Sequence, residues 1–133
     1  MGRLGLGLCA AVFLAAPAAA QFDSAEQVKP ILKTIKPQWI SLREFNGQDL
    51  LYFTMLEVYR CGIEQIRFVI NDGKPQVWET EPCEGDETFS EIGEDRLPYA
   101  TLPLQSVDKV RIELTYDDGT VEWGEYARGD VLQ

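Results

Sequence analysis

The sequence predicts a mainly β fold in one domain: an antiparallel β-sandwich or strongly curved sheet of about six to seven strands, with one N-terminal helix and one disulfide. From Trp39 onward, apolar residues recur with a period near two, β-branched and aromatic residues dominate, and Asn-Gly or Asp-Gly pairs punctuate the runs. A convincing 3.6-residue period occurs only once, ahead of Pro37. Cys61 and Cys83 form an even, pairable set once an N-terminal leader carrying Cys9 is set aside. The same element order admits one alternative, an α+β fold with the helix packed on an antiparallel meander.

Arg3, an apolar run from Leu4 to Ala16, Pro17 and the tripeptide Ala18-Ala19-Ala20 have the anatomy of a secretory signal peptide over residues 1–20, cleaved between Ala20 and Gln21. The run is shorter than the roughly twenty residues a membrane span requires. Cys9 follows Leu8 inside the run, so it does not fit a lipid-attachment site. The short leader and its A-x-A exit are of the bacterial kind, and the expected destination is the periplasm or the external medium. Residues 21–133 suffice for one domain with a single core. In an oxidising compartment Cys61 and Cys83, 22 positions apart, should pair and contribute about 3 kcal/mol by restricting the unfolded chain. They lack the C-x-x-C spacing of a redox-active pair.

Over residues 22–36, Asp23 and Ser24 offer N-caps, Glu26 and Gln27 capping-box partners, and Val28, Ile31, Leu32 and Ile35 share one face. Pro30 is out of place in a helix interior and Pro37 marks the end. Asn46-Gly47 then joins Trp39–Phe45 to a second strand expected over Leu50–Arg60, apolar on both faces and therefore central. Two further hairpins resemble each other. Residues 63–70 and 107–114 align at an offset of 44, and lead into Asn71-Asp72-Gly73 and Asp117-Asp118-Gly119. Ile66, Phe68 and Ile70 match Val110, Ile112 and Leu114 on the inner face, and Arg67 matches Arg111 on the other. The pair is expected to form equivalent corners of a sandwich, with shared physics favoured over duplication as the cause. Between them, residues 79–96 are an acidic loop tethered at Cys83, and Leu97–Leu104 runs extended, confined to an edge by Pro98 and Pro103.

The chain has no histidine, which excludes Ser-His-Asp and Cys-His nucleophilic catalysis and His-ligated zinc. Phosphate-cradling glycine motifs are missing as well. The net charge of −10 becomes −11 when Arg3 leaves with the leader, so nucleic acid and anionic lipid surfaces are poor partners. Charge is uneven: residues 21–43 carry +2 and residues 44–133 carry −13. Three tryptophans and five tyrosines invite a sugar-binding role, but Trp39, Trp78 and Trp123 all lie within predicted strands, where burial in the core is the expected fate of an indole. Glu84, Asp86, Glu87 and Glu91 are dense enough to offer oxygens to Ca²⁺ but lack EF-hand spacing, and a solvated loop is the favoured reading. Arg128-Gly129-Asp130 matches an adhesion tripeptide by composition only.

The expectation is thus a non-enzymatic, cofactor-free binding module that recognises another envelope or extracellular protein, with a cationic surface as the complementary class. The candidate contact residues are Glu84, Asp86, Glu87, Glu91, Glu94 and Asp95. The mature chain is not expected to insert in a membrane. An inhibitor of a cationic hydrolase such as a lysozyme, and a Ca²⁺-dependent structural protein, are the alternative functions.

Overall fold

The first hairpin of the computed structural model, which describes residues 24–83 and 90–133, forms where the Asn-Gly pair requires it. Asn46 and Gly47 have φ of 55° and 75°, the two positive angles of a type I′ turn. They join β1 (Ser41–Phe45) to β2 (Gln48–Tyr52). β5 (Tyr99–Pro103) pairs with the far side of β2, giving an antiparallel sheet of order β1-β2-β5 with the proline-flanked strand at an edge. A second antiparallel sheet has the order β4-β3-β6-β7, from β3 (Ile63–Ile70), β4 (Gln76–Trp78), β6 (Lys109–Tyr116) and β7 (Val121–Ala127). Both sheets contribute to one core, Leu42 and Leu51 from the first and Ile66, Phe68, Ile112 and Leu114 from the second. The protein is therefore mainly β, with seven strands in two antiparallel sheets among the described residues.

β2 is central, as its two apolar faces predict, but the strand expected to run to Arg60 stops at Tyr52. The chain turns into a short helix, α2 (Thr54–Val58), in which Leu56, Glu57 and Val58 are buried in succession. Successive burial fits a doubly covered strand such as β2 as well as a buried helix, and Met, Leu and Glu are good helix formers. The continuous apolar run concealed the change of period.

The two similar hairpins do not occupy separate corners of a sandwich. Their first strands, β3 and β6, lie side by side at the centre of one sheet, pairing Ile66 with Leu114, Phe68 with Ile112 and Ile70 with Val110. Phe68 thus pairs with the residue that is its equivalent at the offset of 44, which places a local two-fold relation at that pair. The inner and outer faces are as the alternation predicts. Antiparallel neighbours satisfy one another's backbone groups directly, a closer solution than two corners separated by a core.

The N-terminal helix, α1, spans Ala25–Thr34 and is followed by a 3₁₀ turn at Lys36–Gln38; Phe22 and Asp23 lie outside the described residues. Pro30 lies inside it, on the exposed side. Ala25, Val28 and Leu32 are buried, and buried Trp39 folds back to donate its indole N–H to the Leu32 carbonyl at 2.8 Å. Ser24 supplies no side-chain cap. Instead Asp117, in the β6–β7 turn, accepts the Ala25 N–H at 2.9 Å, so the helix is capped by a residue 92 positions away. Gly62 has φ +99°, and a Cβ there would come within 2.7 Å of Ser24 backbone atoms and of the Val28 side chain. It leaves the gap in which α1 is seated.

The C-terminal turn, α3 (Arg128–Val131), is fastened from within the first sheet. Asp49, fully buried on β2, accepts the Gln105 and Val107 N–H groups at 2.9 and 3.1 Å and two bonds from Arg128, at 2.7 and 3.0 Å. Arg128 also donates to Glu44 and to the Val107 carbonyl. The Arg128 bond, with the two backbone donors, pulls the Asp49 carboxyl from 3.8 down to about 2 against the opposing effect of burial.

Gly62→Ala should destabilise the protein by about 3 kcal/mol through strain and overlap, and Asp117→Ala by about 1 kcal/mol through the lost cap; urea denaturation reads both. Because the Asp49 pKa is depressed in the folded state, its contribution is present in full above its ordinary value and is lost as pH falls through about 2. Asp118, exposed in the β6–β7 turn, is also drawn to about 2 by Lys29 and Thr120 and titrates in the same window. Comparison with Asp49→Asn isolates the buried group: the variant should be less stable at pH 6 and should show a flatter loss of melting temperature between pH 4 and pH 2.

Candidate binding surfaces

The acidic loop departs from β4 and is anchored at both described ends by buried charge. Glu57, wholly buried on α2, accepts from Arg96 Nε at 3.0 Å, Arg96 Nη2 at 3.0 Å and Trp78 Nε1 at 2.9 Å. Arg96 also donates to the Glu79 carbonyl. Arg60, 4% exposed, donates to the carbonyls of Glu57, Pro82 and Glu91 at 2.9, 3.1 and 3.2 Å. The predicted disulfide between Cys61 and Cys83 is present, with Cα atoms 5.3 Å apart. Ser90 donates its N–H to Val58 at 2.8 Å, and the Glu81 carboxylate accepts the Gly93 N–H at 3.0 Å. Two arginines are thereby engaged with backbone and with Glu57.

Of the six candidate contact residues, Glu84, Asp86 and Glu87 lie outside the described residues. Glu91, Glu94 and Asp95 are exposed, and none forms an ion pair among the described residues. Arg60 and Arg96 are engaged internally, and these carboxylates remain in solvent. Among the described residues no group of three or more Asp, Glu or Cys is placed to hold a metal ion; three of the four carboxylates considered for Ca²⁺ lie outside them. Arg128 and Asp130 are internally engaged, Arg128 as above and Asp130 with the Ala127 N–H at 2.9 Å. No described helix is long and apolar enough to cross a membrane.

The tryptophans divide. Trp39 is buried, and Trp78 is partly buried, stacked on Phe53 with ring centroids 4.1 Å apart. Trp123 contradicts the expectation of core burial: it is 42% exposed on the outer face of the second sheet. The reason is the register of β7. Glu122, Gly124 and Tyr126 pair with the core residues Leu114, Ile112 and Val110, which turns Val121, Trp123 and Glu125 outward. Arg111 lies over the Trp123 ring at 4.0 Å, and Arg67 pairs with Glu113 at 3.4 Å beside it. The signal in the sequence was the alternation itself, whose inward set at Tyr126 and Gly124 requires the neighbouring Trp123 to face out.

Comparison with protein-family models, with curated proteins and with solved structures gave no match.

Glu57→Ala should cost about 3 kcal/mol, since it strands the Arg96 guanidinium and the Trp78 N–H. Chemical denaturation gives the total, and hydrogen exchange should locate the accompanying loss of protection at residues 90–96.

Proposed function

We propose that the protein is a small exported, non-enzymatic binding module that recognises another envelope or extracellular protein through its acidic face, with the periplasm or external medium as its location. The observation that carries this reading is the combination of exposed Glu91, Glu94 and Asp95, without an ion pair among the described residues, with a backbone fastened by Arg60, Arg96 and the Cys61–Cys83 disulfide. Charges held on a constrained support lose little freedom on binding, and uncompensated carboxylates steer a cationic partner and raise its rate of encounter. The disulfide supports an oxidising compartment. The chemistry of the chain, without histidine, supports binding rather than turnover.

The test is capture from an envelope extract with residues 21–133, compared with the variant Glu91→Gln/Glu94→Gln/Asp95→Asn. The expected result is a protein retained at low ionic strength and released near 1 M salt, where the screening length shrinks to about 3 Å, with the triple variant associating at least about tenfold more slowly. Equal capture by the triple variant, or retention indifferent to salt, would show that the acidic face is not the contact.

A further inference from the structure

The outer face of the second sheet has the opposite character from the acidic loop. Across its four strands one row runs Val77, Arg67, Glu113, Trp123, set by the pairings of Arg67 with Val77 and Glu113 and of Glu113 with Trp123. Strands about 4.8 Å apart make that row roughly 14 Å long, the span of a short oligosaccharide. Two recesses open on this face and share Val69 and Arg111: one of about 190 Å³ beside Trp123 and Pro75, and one of about 360 Å³ toward Glu125 and Asp72. Val77, at one end of the row, and Val121, beside Trp123 on β7, are 45% and 46% exposed. No described element covers Trp123, Val121 or Val77.

β7 forgoes the burial of its two most apolar outward residues while placing Glu122 inward. Burying Val121 and Trp123 would each have been worth about 2 kcal/mol, and their outward placement, which the alternation of β7 enforces, is an exception to the burial of large apolar side chains. Such local exceptions concentrate at functional surfaces. Arg111 has a carboxylate directly opposite on its partner strand, Glu125, yet forms no ion pair among the described residues; its guanidinium stacks on the indole. Its N–H donors thus remain beside the ring. With the Arg67–Glu113 pair and Glu125, the face presents one aromatic plate among several fixed donors and acceptors.

We propose that this face binds a neutral glycan, with a sugar ring packed on the free side of Trp123 and its hydroxyls bonded to Arg111, Glu113 and Glu125. The C–H face of a pyranose is apolar and matches an indole, while its equatorial hydroxyls need donors and acceptors together, which the interleaved arginines and glutamates supply. The charge also selects. Lys109, Arg67 and Arg111 balance Asp72, Glu113 and Glu125 locally, so nothing here favours a charged ligand, and the net −10 of the chain repels polyanions. A protein–protein core would be depleted in the Lys and Glu that crowd this sheet. The original objection to sugar binding, burial of the tryptophans, does not hold for Trp123.

Isothermal titration with chitohexaose, cellohexaose and maltohexaose tests this, with tryptophan emission followed in parallel. The expected result is saturable binding of at least one hexasaccharide, unchanged at high salt and weakened about tenfold or more, at least 1.4 kcal/mol, in Trp123→Ala and in Arg111→Ala. Circular dichroism and melting temperature check that both surface variants remain folded, and binding by the acidic-loop triple variant should equal that of wild type. Absence of binding by all three sugars at millimolar concentration would overturn the proposal. So would binding that survives both substitutions, a salt-sensitive preference for hexagalacturonate, or a protein partner lost on Trp123→Ala without any response to glycans.

Discussion

The attachment of α1 to the β6–β7 hairpin is the constraint on which much else depends. Asp117 caps the helix, Lys29 meets Asp118, Lys36 lies 3.8 Å from Glu122, and Tyr126 donates its hydroxyl to the Lys36 carbonyl at 2.6 Å. These contacts require Glu122 and Tyr126 on the inner side of β7. Buried Tyr116 donates to Glu122 at 2.7 Å, and burial together with that carboxylate raises its phenol well above the ordinary range, so the donor stays protonated. Gly124, between Glu122 and Tyr126, leaves the room the Tyr126 ring takes, since a Cβ there would lie 2.5 Å from its hydroxyl. With an inner set of this kind, the period of two sends Trp123 outward. One helix docking therefore determines both the seat of the N-terminal segment and the chemistry of the opposite sheet face.

A second set of buried charges serves the acidic loop. Glu57, Arg60 and Arg96 are expensive to remove from water singly, but each is surrounded by partners: Glu57 by three donors, Arg60 by three carbonyls, Arg96 by Glu57 and a carbonyl. The disulfide then adds a covalent tie next to Arg60. This network uses cations for architecture, and Glu91, Glu94 and Asp95 are left without an ion pair among the described residues. The net charge of the chain is thereby distributed unevenly, with a negative loop and a balanced, aromatic sheet face. Two surfaces of different chemistry can serve two kinds of ligand, one sensitive to salt and one not.

Much of the architecture was legible because it follows from short-range rules. The Asn46-Gly47 turn, the inner faces of β3 and β6 and the pairing of Cys61 with Cys83 rest on local backbone preference, on alternation and on the scarcity of thiols. The run from Leu50 to Arg60 misled because both alternating sets were apolar, so the period carried no information and α2 was hidden. The anchors of the acidic loop were illegible for another reason. Glu57, Arg60 and Arg96 read as ordinary polar residues, and only their meeting across as many as 39 positions makes them a cluster around buried Glu57.

The sequence by itself determined that this chain forms antiparallel hairpins around an apolar core, closes a disulfide and carries a strongly acidic loop. Those properties are set by neighbours in the chain and by composition. Only the tertiary structure decided how the hairpins pair, what caps α1, and which tryptophan faces solvent. Each of these depends on contacts between residues far apart, Asp117 with Ala25 or Tyr126 with Lys36. Where a strand has competing claims on both faces, as β7 does, such contacts choose the register and therefore the surface.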